Sequence, residues 1–169
     1  IYFGVLISVI ITLIGLNFSD KIFSLMVTTK EVTELGLQYT DIIFSGSILF
    51  ILVVALNSLL HAEGDTKTYR NVLILSFFIN LILNPILIFG LLFFPALGVK
   101  GIAISTIFSQ SVAFFIILFK ILKNPRIKEI TNKFLIPKLF YFINIFFTSM
   151  PIVVSIFAYS ITAAIVLAY

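Results

Sequence analysis

Cysteine and tryptophan are both missing from the 169 residues, and only 11% are charged. Without cysteine there is no disulfide, no thiolate nucleophile and no zinc-ribbon spacing, and the redox compartment leaves no mark on the chain. Without tryptophan, the six tyrosines are the aromatic anchors left for a membrane interface. The shortage of charge excludes most. A soluble domain of this length needs a polar surface around its core, and 61% hydrophobic residues leave too little to build one. The chain is therefore read as an integral membrane protein of the all-α class, a polytopic bundle of transmembrane helices, with the lipid bilayer as its first partner and no nucleic acid expected.

What is present is an alternation of long apolar runs and short polar turns, arranged about Gly64-Asp65-Thr66-Lys67-Thr68. Ile1 to Phe18 predicts a first helix, interrupted by Gly4 and Gly15; about 18 residues at 1.5 Å each nearly cross a hydrocarbon core of roughly 30 Å. Asn17 to Glu34 carries Asp20, Lys21, Lys30, Glu31 and Glu34, which reads as a loop with a short amphipathic segment on the membrane surface. Leu35 to Leu60 is the second span. Gly64 suits the position just past its end, and Asp65 or Thr66 can cap the helix that follows. Asn71 to Phe94 is the third span, and Gly98 or Gly101 to Phe119 the fourth, joined by the turn Pro95-Ala96-Leu97-Gly98. Phe140 to Tyr169 is a fifth, truncated span or the start of a longer helical pair, broken by Pro151. Ile1 stands in an apolar run with no Met and no basic n-region or cleavage site of a signal peptide, so the chain is expected to be part of a longer membrane protein.

Orientation follows from Lys and Arg in alternate loops. The hairpin (Lys67, Arg70) and residues 120–138 together hold eight, and the opposite side holds three, Lys21, Lys30 and Lys100. Residues 61–70 and 120–138 are therefore expected in the cytoplasm. For the basic loop, setting topology is the simpler reading and binding anionic headgroups the second.

Polar groups in hydrocarbon cost free energy unless they face a partner or a water-filled cavity. Ser76, Asn80 and Asn84 recur every four residues and share one stripe of the third span. Pro85 has no amide hydrogen for the Leu81 carbonyl, so a kink and a free backbone oxygen are expected there. Two readings stand side by side: Asn80 and Asn84 line a substrate or ion cavity, or they bond across helices as packing contacts. In the fourth span Gly101, Ser105 and Ser109 form a small-residue stripe suited to close packing, with Thr106 and Gln110 on the adjacent one. Asn57 lies near the end of the second span; His61 and Asp41 sit at membrane edges. No nucleophile with a base, carboxylate pair, metal-ligand cluster or phosphate loop appears, so nothing argues for an enzyme or a cofactor.

Three motifs in order, Gly64-Asp65-Thr66-Lys67-Thr68, Asn80-Leu81-Ile82-Leu83-Asn84-Pro85 running on to Phe89-Gly90, and Pro95-Ala96-Leu97-Gly98-Val99-Lys100-Gly101, resemble the multidrug and toxic compound extrusion (MATE) family. The resemblance implies part of a two-lobed, 12-helix transporter in the plasma membrane. Residues 1–122 would be helices three to six of the first lobe, 123–138 the basic cytoplasmic linker and 139–169 the start of helix seven. It also implies export of cationic or amphipathic compounds in exchange for protons or sodium, with the remainder of the same polypeptide as partner. Asn80, Asn84, Thr106, Asn57, Ser76 and Gln110 would then belong to the substrate or ion cavity. In one branch the second of the paired helix-five positions is Asp; here it is Asn84, an amide that can coordinate sodium but cannot release a proton. Another branch has Glu in helix seven, where this chain has Ala158. A flippase for lipid-linked oligosaccharide and a non-functional truncated remnant are the alternatives. The first would need Arg or Lys inside the spans to hold pyrophosphate.

Overall fold

The computed structural model describes residues 2–25, 29–126 and 139–168. Among the described residues six helices follow in order: α1 Tyr2–Leu25, α2 Lys30–Ser45, α3 Ser47–Ala62, α4 Lys67–Phe89, α5 Val99–Leu122 and α6 Leu139–Ala168. The chain divides into two compact units, Ile1–Thr131 and Asn132–Tyr169.

In the first unit α5 is central, packing on α4, α3 and α2, while α1 packs on α2 and α3. Helix α1 runs antiparallel to the α2–α3 pair, as its contacts show. Gly4 lies against Ile51 and Ala55, Ser8 meets Ser47, Gly15 takes the Phe44 ring, and Gly36 takes the ring of Phe23. Apolar side chains converge where α3 meets α5: Val53, Leu56, Leu60, Ala113, Ile117 and Ile121 are buried together with Val72. Elsewhere large apolar residues point outward, among them Phe77, Leu81, Phe115 and Phe119. Such a surface calls for hydrocarbon or further apolar helices against it.

Four described helices are long and apolar enough to cross a membrane, and a fifth span results if α2 and α3 count as one. Those two are bent by 46° at Gly46. The absent side chain leaves the space that Ile107 of α5 enters, 2.5 Å from where a Cβ would stand. Around the bend Thr12 Oγ1 donates to the Phe44 carbonyl at 3.0 Å and pairs with Ser47 Oγ at 2.6 Å, so the polar atoms of the break are served inside the bundle.

Several expected boundaries move. The loop expected over 17–34 is mostly helix, since α1 continues to Leu25 and α2 begins at Lys30. No Pro or Gly interrupts 17–25, and Asn17 and Ser24 bond back to carbonyls of their own helix. Thr29 caps the start of α2 through its hydroxyl, so that span begins before Leu35. The third span ends at Phe89 instead of Phe94, because Gly90 takes a left-handed conformation (φ 68°) and stops it. Pro85 lies within α4 and Pro151 within α6 without ending either helix, so the expected break at Pro151 is absent. Helix α6, described by itself, is apolar on its exposed sides through Tyr159. The linker expected at 123–138 lies outside the described residues beyond Arg126.

Candidate functional site

The hairpin that orders the chain is built from local chemistry. Helix α3 closes in a Schellman arrangement: Gly64, at φ 80°, gives its amide to the His61 carbonyl at 2.9 Å, and Asp65 gives its amide to Leu60 at 2.9 Å. Asp65 then turns its carboxylate to the next helix. It accepts from the Thr68 amide at 2.9 Å and the Thr68 hydroxyl at 2.6 Å. These bonds, with the Lys120 ammonium 3.8 Å away, hold the Asp65 pKa below the ordinary 3.8. Lys120 lies in the last turn of α5, so the pair ties the hairpin to the same end of the bundle. Thr66 is the residue at the cap position but makes no side-chain capping bond. His61 is exposed, with its ring edge-on to Tyr69 at 6.3 Å, as suits an interfacial residue.

Between α4 and α5 the two four-residue stripes meet antiparallel. Gly101 sets the spacing: a Cβ there would stand 2.8 Å from the carbonyl carbon and oxygen of Leu87. Because the backbones come so close, the polar side chains above them touch. Asn80 Nδ2 donates to Ser109 Oγ at 2.7 Å and to the Ser76 carbonyl at 3.1 Å. Ser109 passes its own proton to the Thr106 carbonyl at 2.8 Å. Ser105 Oγ lies 3.3 Å from Asn80 Oδ1, 2.8 Å from the Ile102 carbonyl, and in close contact with Asn84 Oδ1.

This arrangement is short of protons. A serine hydroxyl has one hydrogen to donate, yet the amide oxygens of Asn80 and Asn84 both face Ser105, beside an Ile102 carbonyl that also accepts from the Thr106 hydroxyl. Ser105 and Ser109 are buried, Asn80 and Asn84 half-buried. Two changes relieve the crowding: turning the Asn84 amide so that its nitrogen donates to Ser105, or sharing a cation among the oxygens.

Of the other expected cavity residues, Thr106 borders this cluster through the Ile102 carbonyl, and Asn57 and Gln110 are not brought into it. Asn57 is 8% exposed on α3, and its Oδ1 has no hydrogen-bond partner. Thr106 donates to the Ile102 carbonyl of its own helix at 2.8 Å, and Gln110 is half-buried outside the network. Pro85 sits one position beyond Asn84, within the helix. The partners the sequence reading left as packing residues are Ser105 and Ser109. Their signal was the four-residue spacing that both helices share. Among the described residues no three of His, Asp or Glu gather as a metal site.

A bundle of apolar helices, with amide and hydroxyl side chains meeting between the spans, defines a multi-pass membrane protein. Residues 1–86 match the family model described as MatE, and the chain belongs to that family of transporters. A probable multidrug resistance protein, YoeA, of Bacillus subtilis is 34% identical over 116 residues, 69% of this chain and 25% of that protein. An FAD transporter of Shewanella oneidensis is 37% identical over 100 residues, 59% of this chain and 22% of its own. The structure of a multidrug resistance MATE family transporter of the MOP superfamily, in an inward-facing conformation, superposes with a TM-score of 0.66 at 27% identity, over 72% of this chain and 27% of that one. The chain thus spans about a quarter of the length of these relatives.

Proposed function

We propose that this chain supplies part of the first-lobe wall of a secondary active transporter that exports cationic or amphipathic compounds by antiport. The coupling ion contacts the α4–α5 cluster, and the observation that carries this is the convergence of Asn80 Oδ1 and Asn84 Oδ1 on the one hydroxyl proton of Ser105. Neutral oxygens suit sodium. They have no group that releases a proton near neutral pH, so of the two coupling ions sodium is favoured here. Asn57, whose buried oxygen lacks a donor, is a further polar group on the wall. Residues 61–70 and 120–138 face the cytoplasm in this reading, with 1–122 in the first lobe, 123–138 the linker and 139–169 opening the second. Alternating access needs both lobes, so the activity belongs to the complete polypeptide.

The relative named for FAD favours a second substrate class, an anionic dinucleotide. In the complete reading frame, Asn84→Leu is expected to abolish efflux of a fluorescent cationic dye with insertion unchanged. Unaltered dye efflux would remove Asn84 from the wall. FAD movement without dye movement would replace the cationic substrate by the anionic one.

A further inference from the structure

At the hairpin end of the bundle, a groove of about 480 Å³ opens between α4 and α5. Its floor is Val72, Leu75, Ile116 and Phe119; Thr68 and Asn71 form one polar edge, and Lys120 and Lys123 stand at the mouth. The floor continues along α5 into a second, wholly apolar groove of about 500 Å³ that shares Ile116 and Phe119 and adds Phe115, Leu118 and Leu122. Lys123 holds its ammonium 4.4 Å from the centre of the Phe119 ring, above the apolar floor. Lys120 reaches across to Asp65, whose carboxylate is already engaged by Thr68.

We propose that this groove seats one anionic phospholipid, its phosphate between Lys120 and Lys123 and an acyl chain along Leu75, Ile116 and Phe119. Charge complementarity selects the occupant. The two ammonium groups sit three residues apart at the end of an apolar span, where headgroups lie, and among the described residues Asp65 is the one carboxylate paired with either of them. The floor is apolar and outward-facing, with Phe115 and Phe119 more than half exposed. The side chains of the floor offer no hydrogen-bonding group, and an acyl chain needs none.

The test is native mass spectrometry of the protein expressed from its complete reading frame, given equal phosphatidylglycerol and phosphatidylcholine. Each interfacial lysine is worth about fivefold in affinity for an anionic headgroup. The wild-type protein should therefore retain phosphatidylglycerol preferentially, K123Q should lower that preference about fivefold, and the charge-keeping K120R/K123R should preserve it. L75W, which fills the floor and leaves the charges in place, should also lower retention, and inorganic phosphate should not displace the bound lipid. Unchanged retention in K123Q overturns the site. So does loss in K123Q with full retention in L75W, which would mean charge attraction without a seat for the chain. Displacement by inorganic phosphate alone would assign the lysines to a free anion instead.

Discussion

Asp65 does two jobs with one carboxylate: it caps α4 through Thr68 and faces Lys120 at the end of α5. Its pKa is lowered chiefly by the Thr68 hydroxyl, then by the Thr68 amide. The sign of the pH effect follows. A carboxylate with a lowered folded pKa stabilises fully above its unfolded value, and the contribution is lost as pH falls through the lowered one. Asp65→Ala should cost about 1 kcal/mol near neutral pH, the usual worth of such a cap. The gap between wild-type and variant unfolding temperatures in detergent should narrow only below pH 3.8. A gap that widens on acidification would contradict the cap. Such turn chemistry is local, which is why Gly64 and Asp65 could be read from the chain. Asn57 is the contrary case: it is buried on α3, and no spacing pattern shows that its oxygen lacks a donor.

At the scale of elements, two glycines set helix geometry in different ways. Gly101 brings α5 onto the backbone of Leu87, whereas Gly46 makes room for the end of the Ile107 side chain. Backbone cannot step aside, but a terminal methyl can turn. Gly101→Ala should therefore destabilise by about 1–3 kcal/mol through overpacking, and loosen the Asn80–Ser109 contact. Gly46→Ala should cost clearly less. Thermal unfolding of both variants in detergent measures the difference, and equal losses would contradict the close approach at Leu87. The stripes at 76, 80, 84 and at 101, 105, 109 were legible because four-residue spacing marks a helix face whatever the fold. The bend at Gly46 was not, since Ser45-Gly46-Ser47 lies inside a long span and only Ile107 of α5 gives the glycine a purpose. The ends of α1 and α2 were misjudged for a related reason: charged residues leave the membrane without leaving the helix, so polarity marked the bilayer boundary and not the end of α1 at Leu25.

For the whole molecule, α1 to α5 form one bundle in which polar contacts are placed at helix crossings and apolar side chains face out. Membership in the MatE family gives that bundle a setting, and the α4–α5 oxygens give it a candidate ion contact. The most direct test uses everted membrane vesicles carrying the complete reading frame and a fluorescent cationic dye, with a sodium gradient and a proton gradient imposed in separate runs. Dye movement driven by the sodium gradient, and lost in Asn84→Leu, is the expected result. Absence of movement under either gradient, with the protein shown to be inserted, would contradict the proposal that this bundle belongs to a drug antiporter.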